Sequence, residues 1–477
     1  MSKKHKYLAK NVFLFSLSGF VPRILSVILI PLYTSYLTTA EYGISDFIST
    51  TVSLLIPIFT LDIQDAVMRF AIDDKYESRD VFSIAIRIIL AGTALVCIGT
   101  GIVYVANIPG IKSTYLIFFV IMYFTTAIYN TVSLFCRGID KVHIMVGSSI
   151  ANSVVSLSAN ILFLAVFHWG LTGYLIANTL GSIIGLLWCF IGAKLFKYIK
   201  WDISKKIQKE MIAFSFPLIF SVIAWWINSA SDRYILTWLS GVAVSGLYAV
   251  SYKIPGILSV FQSIFAQAWS ISAVKEFDKN DSDGFISSMY RTMNFAMVAI
   301  CSGLMIVNIP IAKILYAKEF FKAWQFVPPL LISVVLNAMA LFIGSIFTAV
   351  KDTKTLSIST IAGATVNTVL NFVFIHFWGA YGAALATMLG YAVVLIARHV
   401  ILRKHILMRI NWTRDIITYA ILILQMWIAH WGVASIPVQI FVFFAIILMH
   451  VKELKQILDF IKKTICRLYN KKLAKSQ

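Results

Sequence analysis

Charged side chains inside long apolar stretches are the residues of this chain best placed to do chemistry. Arg23 follows Pro22 in one such stretch, and Arg233 and Lys253 lie in two others. A charge at the centre of a membrane helix costs about 2.5–3.5 kcal/mol on insertion scales, so each must face a cavity or a partner. We expect the three cations to line one water-filled cavity and bind an anion there. For Arg23, a structural ion pair between helices stays open as the alternative.

Tyrosine and glutamine side chains accompany these cations. Tyr248 and Tyr252 precede Lys253, and Gln262 follows it in the same apolar stretch. We assign them to the same site. The predicted substrate-binding residues are Arg23, Tyr33, Arg233, Tyr248, Tyr252, Lys253 and Gln262.

Carboxylates occur in the same stretches. Asp62, Asp65 and Arg69 share one helical face through their i, i+3 and i+4 spacing, which fits a helix-terminal salt bridge or gate. A site that couples transport to H⁺ or Na⁺ is the second interpretation. The predicted coupling or gating residues are Asp46, Asp62, Asp65, Arg69 and Asp232.

The overall composition tells which elements must position these residues. Of 477 residues, 59% are hydrophobic and 13% are charged, and the mean hydropathy is +0.84. Soluble domains carry about 25% charged residues. A chain in water could not bury this much apolar surface, whereas a bilayer accommodates it. The composition predicts an all-α integral membrane protein.

Stretches of about 20 apolar residues, the length needed to cross a bilayer, occur about fourteen times. The predicted spans are 11–37, 43–68, 82–106, 114–135, 143–167, 171–194, 211–238, 244–270, 286–310, 326–349, 355–377, 380–402, 414–431 and 436–451. With the N-terminus in the cytoplasm, 32 of the 41 Lys and Arg residues fall on the cytoplasmic side, four fall outside and five lie within spans. This asymmetry predicts that both termini are cytoplasmic.

Other sites are not indicated. The net charge of +20 comes mainly from short gaps between spans, so we expect no nucleic-acid partner. The five cysteines are scattered without a CxxC motif, which argues against a disulfide framework or a metal site. We find no P-loop or hydrolase motif.

An internal repeat divides the chain. At an offset of 209, six identities fall within thirteen positions: Trp169, Gly170, Gly173, Ala177, Leu180 and Gly181 match Trp378, Gly379, Gly382, Ala386, Leu389 and Gly390. The turn containing Gly43 likewise resembles the turn containing Gly246. We predict a six-helix lobe in residues 1–200, a second in 201–410, and two further helices with a basic tail in 411–477. Repeated lobes of this kind favour alternating access.

Short motifs along the chain carry a family resemblance. They are Pro31-Leu-Tyr-Thr, Glu41-Tyr-Gly, Met68-Arg-Phe, Ser231-Asp-Arg-Tyr-Ile-Leu, Gly246-Leu-Tyr and Tyr252-Lys-Ile. Their order and spacing resemble bacterial polysaccharide flippases for O-antigen and capsule, within the multidrug/oligosaccharidyl-lipid/polysaccharide exporter superfamily.

The resemblance implies a non-enzymatic flippase of the bacterial cytoplasmic membrane. Its cargo would be undecaprenyl-pyrophosphate-linked sugar repeat units, moved from the inner to the outer leaflet. Membrane lipids, a polysaccharide polymerase and glycosyltransferases are the implied partners, and no cofactor is expected beyond H⁺ or Na⁺. The anion-binding cavity proposed from the charges agrees with a pyrophosphate head group.

Three alternatives stay open. A flippase for the peptidoglycan precursor would use a similar cationic cavity. A cation-coupled multidrug exporter would favour an acidic cavity instead. A membrane-bound glycosyltransferase or polymerase would need a carboxylate-rich external loop, whereas the longest predicted one, 311–325, holds only Glu319.

Overall fold

The structure, a computed structural model, describes residues 25–73, 75–107 and 112–459, together with Pro22 and Lys462. Every regular element in these ranges is helical, which confirms the predicted all-α class. The chain divides into two compact units, Met1–Ala230 and Ser231–Gln477.

Among the described residues, eight helices belong to the first unit or lead from it into the second. They are α1 (Ile30–Tyr36), α2 (Thr39–Phe59), α3 (Ile63–Ala71), α4 (Ser78–Val105), α5 (Ser113–Gly138), α6 (Val142–Asn160), α7 (Gly170–Gly192) and α8 (Lys205–Ser240). The boundary between the units falls inside α8. A π-helical segment, Ile161–Val166, follows α6, and a 3₁₀ turn, Leu195–Tyr198, follows α7.

Eight more helices follow in the described part of the second unit. They are α9 (Val242–Ser251), α10 (Lys253–Lys275), α11 (Phe285–Ile306), α12 (Asn308–Leu315), α13 (Val327–Ala349), α14 (Thr353–Leu402), α15 (Trp412–Ala429) and α16 (Ile436–Met449). Two 3₁₀ segments, Lys318–Phe326 and Gly432–Ser435, precede α13 and α16.

Within the described residues, eleven helical segments are long and apolar enough to cross a membrane. Two shorter apolar helices, Leu25–Tyr36 and Val242–Ser251, accompany them. Helix α14 contains 50 residues, or about 75 Å at 1.5 Å per residue, more than twice the hydrocarbon core. The backbone of Gly379 is non-helical (φ 54°, ψ −134°) and divides α14 into two segments. The chain is therefore multi-pass, and the number fourteen stays a prediction.

The repeated glycines have nearly the same positive φ in both units. Gly170 has φ +55° and Gly379 has φ +54°, in the left-handed region that glycine enters without steric cost. Each begins the second helical segment of a hairpin. The repeat seen in the sequence thus corresponds to a glycine with positive φ at the turn of a helical hairpin in each unit, the corner glycine.

The two helical segments joined at each of these glycines pack closely against each other through small residues. A Cβ on Gly181 would lie 2.9 Å from the carbonyl oxygen of Asn152, and a Cβ on Gly390 would lie 3.1 Å from that of Gly363. Only glycine allows the backbones to approach to this distance. In both hairpins, a glycine of the second segment therefore packs against a backbone carbonyl of the first.

Arg398 differs from its sequence interpretation. The 32 Lys and Arg residues assigned above to the cytoplasmic side include Arg398, but its side chain is buried. The guanidinium donates to the carbonyl oxygen of Ala340 at 2.6 Å, to Ser359 Oγ at 3.0 Å and to Thr360 Oγ1 at 3.1 Å. It therefore ties α13 to α14 rather than serving as a topology signal.

Candidate functional site

Asp232 lies at the centre of a buried group of hydroxyls in the second unit. Its Oδ2 accepts hydrogen bonds from the hydroxyls of Tyr248 and Tyr252, both at 2.8 Å. Thr387 Oγ1 lies 3.4 Å from the same oxygen. The other oxygen, Oδ1, accepts the backbone N–H of Arg233 at 2.8 Å. We call Asp232, Tyr248, Tyr252 and Thr387 the Asp232 cluster.

Two buried asparagines extend this cluster. Asn367 Nδ2 lies 3.4 Å from Thr387 Oγ1, and Asn371 Nδ2 donates to Asn367 Oδ1 at 3.1 Å. The Oδ1 atom of Asn371 is buried and has no hydrogen-bond partner among the described residues. A carboxylate set among hydroxyl and amide oxygens can hold a proton or a hard cation, which prefers oxygen ligands.

The predicted cations of the second unit are placed differently from each other. The guanidinium of Arg233 lies 5.1 Å from the ring centroid of Tyr252, a cation–π contact. Lys253 is half-buried at the start of α10, and Gln262 is buried further along it. In the described part of the chain, neither Lys253 nor Gln262 hydrogen-bonds to the Asp232 cluster.

The first unit encloses a cavity of about 390 Å³. Side chains from α2, α3, α5, α6, α7 and α8 line it, and no charged residue is among those described. We call it the polar cavity. Its hydroxyl and amide lining includes Ser49, Gln64, Thr125, Asn130, Asn178 and Thr179.

Tyr33 and Asp46 belong to this first unit. Tyr33 is buried, and its ring packs edge-on against Tyr174 at 4.9 Å between centroids. Tyr174 lines the polar cavity, so Tyr33 lies directly behind the cavity wall. Asp46 is half-buried in α2.

Asp62 occupies a break between α2 and α3. Leu61 and Asp62 both have left-handed backbones, with φ of 53° and 49°, and the N–H of Asp62 donates to the carbonyl oxygen of Pro57 at 2.9 Å. The Asp62 side chain is fully buried, and its Oδ1 accepts from Gln64 Nε2 at 3.3 Å. Its Oδ2 has no partner among the described residues. Through Gln64, Asp62 underlies the polar cavity.

The other members of the predicted carboxylate face separate in the structure. Asp65 is half-buried in the first turn of α3. Arg69 is exposed and pairs with Asp73 at 3.4 Å, not with Asp62 or Asp65. Arg23 lies outside the described residues, so its predicted role stays a prediction.

Apart from the tyrosines, the uncharged residues of the Asp232 cluster and of the polar cavity were not predicted from the sequence. Asn367, Asn371 and Thr387 were not predicted as site residues, and Asn130 and Asn178 were not singled out. The available signal was the recurrence of amide side chains inside apolar spans, where they are costly without partners.

Solved structures share this fold. A lipid II flippase MurJ in an inward closed conformation superposes with a TM-score of 0.70 at 15% identity, covering 94% of this chain and 99% of that one. A multidrug resistance MATE family transporter of the MOP superfamily, in an inward-facing conformation, gives 0.66 at 13% identity, covering 81% and 97%. The chain is thus a multi-pass membrane protein with the fold of MOP superfamily transporters.

Sequence comparison gives the family. The profile of the polysaccharide biosynthesis protein family matches residues 8–271, which is more than half of the chain, and the chain belongs to this family. The lipid II flippase MurJ of Bacillus subtilis (strain 168) is 22% identical over 464 residues, covering 83% of each sequence. The resemblance predicted from the motifs is confirmed.

Proposed function

We propose that this protein is a flippase for surface polysaccharide synthesis. It moves undecaprenyl-pyrophosphate-linked sugar repeat units from the inner to the outer leaflet of the bacterial cytoplasmic membrane, with both termini in the cytoplasm. Membership of the polysaccharide biosynthesis protein family, in a chain with a transporter fold, is the observation that carries this proposal. A polymerase and glycosyltransferases are the partners that such a cargo requires.

Alternating access is the proposed mode of transport. Arg23, Arg233 and Lys253 are proposed to hold the pyrophosphate, since Arg and Lys bind phosphate oxygens through charge-assisted hydrogen bonds. The polyprenyl tail stays in the bilayer because it is apolar. Translocation itself breaks no covalent bond.

Asp232 is the proposed coupling residue. Its carboxylate lies among neutral oxygens of tyrosine and threonine, so gain or loss of H⁺ or Na⁺ changes the net charge of a buried cluster. Such a change is large enough to bias a two-state equilibrium in a membrane protein. Asp46, Asp62 and Asp65 are the other proposed coupling or gating carboxylates.

A second cargo is supported by a different observation. The relative from Bacillus subtilis and the most similar solved structure reported above are both named lipid II flippases. Lipid II and polysaccharide repeat units can share a polyprenyl pyrophosphate carrier and differ in the attached sugars. A peptidoglycan precursor flippase is therefore the alternative function.

Reconstitution tests the proposal directly. The full chain in proteoliposomes receives either an undecaprenyl-pyrophosphate oligosaccharide or lipid II, and the leaflet of the sugar is measured with an impermeant glycan-binding protein. We expect the oligosaccharide lipid to cross faster than in protein-free liposomes. Crossing of lipid II alone would establish the alternative, and crossing of neither would refute a flippase.

Coupling is tested by imposing gradients in the same liposomes. We expect either a Na⁺ gradient or a pH gradient to accelerate flipping by the wild type. In Asp232→Asn, which keeps the shape and removes the charge, that acceleration should disappear. Asp202→Asn, at an exposed loop position, is the matched control. Equal gradient dependence of Asp232→Asn and wild type would remove Asp232 from the coupling role.

A further inference from the structure

The polar cavity of the first unit has the size of a ligand site. Its volume of about 390 Å³ falls within the roughly 300–1,000 Å³ of small-molecule pockets. The residues that line it come from six helices of the first unit. None of the described lining residues is charged, and none was predicted from the sequence as a binding or coupling residue. The prediction from buried charges therefore did not find this cavity.

The hydroxyl groups of the lining have a fixed hydrogen-bond polarity. Thr125 donates to the carbonyl oxygen of Ile121 at 2.8 Å, and Thr179 donates to that of Leu175 at 2.8 Å. Ser49 donates in the same way to the carbonyl of Ser45. Because each proton is engaged in its own helix, the hydroxyl oxygens remain as acceptors for a ligand.

Amide groups supply the complementary donors. Asn130 lines the cavity, and no hydrogen bond to another described residue engages its side chain. The Gln64 amide donates one bond to Asp62 and keeps its second N–H and its carbonyl oxygen. The cavity therefore offers both donors and acceptors, all of them uncharged.

The cavity walls are closely packed. Gly181 and Gly185 press α7 against Asn152 and Tyr129 on neighbouring helices, at distances that leave no room for a Cβ. Trp226 Nε1 donates to the carbonyl oxygen of Thr50 at 3.1 Å. A preformed site of this kind binds without a large ordering cost.

The chemistry of the lining selects one class of ligand. An anion would find no Arg or Lys among the described lining residues, and a cation would find no carboxylate among them. An apolar molecule would strand the amides and hydroxyls without partners. A neutral sugar presents hydroxyls that both donate and accept, and its C–H face can pack on the ring of Tyr174.

We infer that the polar cavity binds an uncharged sugar residue of the cargo, separately from the site that takes the pyrophosphate. This inference rests on the proposed flippase function. It assigns the recognition of the glycan to neutral side chains of the first unit.

Two threonines of the same helix give a matched test. Thr125 and Thr131 are both buried in α5, and both hydroxyls donate to the carbonyl four residues earlier, at 2.8 and 2.9 Å. Only Thr125 lines the cavity. Thr125→Val and Thr179→Val remove cavity hydroxyls at almost unchanged shape, whereas Thr131→Val removes one elsewhere.

The probes are undecaprenyl pyrophosphate carrying a single N-acetylglucosamine and the bare carrier lipid. Binding of each to the purified full chain in nanodiscs is measured for wild type and variants. We expect the double variant Thr125→Val/Thr179→Val to bind the glycosylated lipid about tenfold more weakly, since two hydrogen bonds to the sugar are lost. Its affinity for the bare lipid should be unchanged, and Thr131→Val should match wild type with both.

The outcomes separate this inference from the proposed function. Unchanged affinity of the double variant for the glycosylated lipid, in a wild type that binds both lipids, overturns the sugar site alone. An equal loss for both lipids also overturns it, because the effect would then not depend on the sugar. A wild type that binds neither lipid refutes the flippase function, and the sugar site with it.

Discussion

The polar cavity of the first unit and the Asp232 cluster of the second occupy equivalent places in the repeat. The offset that aligns Gly43 with Gly246 aligns Ser49 with Tyr252. Ser49 lines the cavity, whereas the Tyr252 hydroxyl bonds to Asp232. A phenol ring in one unit thus stands where the other unit has a hydroxymethyl group.

The second hairpin shows the same exchange of small for large. The offset of 209 aligns Ser182, on the cavity wall, with Tyr391, which lies beside Asp232. The same offset aligns Asn178 with Thr387. Each of these residues contacts a side chain of the preceding helical segment: Ser156 Oγ donates to Asn178 Oδ1 at 3.1 Å, and Asn367 Nδ2 lies 3.4 Å from Thr387 Oγ1.

The comparison shows two ways to keep polar groups inside an apolar fold. In the second unit, tyrosines fill the space and donate to one carboxylate. In the first, smaller side chains bond to their own helices and leave room for a guest. Polar groups buried away from water need hydrogen-bond partners in either case. By the inference drawn above, a sugar of the cargo supplies some of these partners in the first unit.

The largest expected effect comes from removing the donors to Asp232. Tyr248→Phe/Tyr252→Phe takes two hydroxyls from a buried carboxylate, and hydrogen bonds to charged groups contribute about 1.5–3 kcal/mol each. We expect the free energy of unfolding to fall by about 3 kcal/mol or more, measured by reversible unfolding in mixed lipid–SDS micelles.

Tyr123→Phe is the control for that variant. The Tyr123 hydroxyl is buried and has no partner among the described residues, so its removal should not lower the stability. A comparable loss in Tyr123→Phe would mean that the hydroxyl bonds are not what stabilises the Asp232 cluster.

Ser49→Tyr makes the first unit resemble the second. The ring should occupy the polar cavity and reduce flipping of a lipid-linked oligosaccharide by about tenfold, equivalent to roughly 1.4 kcal/mol, with little change in stability. Flipping is measured in proteoliposomes. Ala94→Tyr, at an exposed position of α4, should flip normally; if both variants were equally slow, bulk alone would explain the result.

Alanine at either corner glycine should destabilise the protein, and more so at Gly170. Gly170→Ala and Gly379→Ala each place a Cβ on a backbone with positive φ, at about 1–2 kcal/mol, measured by the same unfolding titration. The Cβ at Gly170 would also lie 3.1 Å from Glu41 Oε1, whereas the Cβ at Gly379 would have no atom within 4 Å. Gly99→Ala, likewise with no atom within 4 Å of the added Cβ, should be stabilising by about 0.5–1 kcal/mol. Unchanged stability of either corner variant would weaken the equivalence drawn from the repeat.

The smallest effect is expected at Arg69. Its ion pair with Asp73 is exposed, and exposed i, i+4 pairs contribute about 0.3–0.5 kcal/mol. Arg69→Ala should therefore leave both unfolding and flipping close to wild type. A strong loss of flipping at unchanged stability would restore the gating role predicted from the sequence.

Charge made part of this molecule predictable from its sequence. Asp232 and Arg233 stood out because ionised groups are costly in a bilayer, and Tyr248 and Tyr252 were assigned to the same site by proximity in the chain. The all-helical class followed from composition. The repeat followed from glycines whose backbone conformation no other residue adopts as readily.

The neutral groups were beyond sequence reasoning for a physical reason. A threonine in a membrane helix can satisfy its hydroxyl on its own backbone, as Thr125 and Thr131 both do, so residue type does not tell which of them lines a cavity. The predicted location of the Arg398 side chain was also wrong. Its position near a helix end indicated the membrane surface, whereas the guanidinium folds back onto carbonyl and hydroxyl oxygens.

The π-helical segment Ile161–Val166 changes how far the duplication can be traced. Upstream of the corners, Asn160 corresponds to Asn371: both are buried, and both amides donate to the carbonyl four residues earlier, at 2.7 and 3.0 Å. That pairing needs an offset of 211 rather than 209. The first unit therefore has two more residues than the second between this asparagine and the corner glycine, and its π-helical segment lies in that longer connection. A comparison in a single register loses the repeat at this point, although the buried asparagine recurs on both sides.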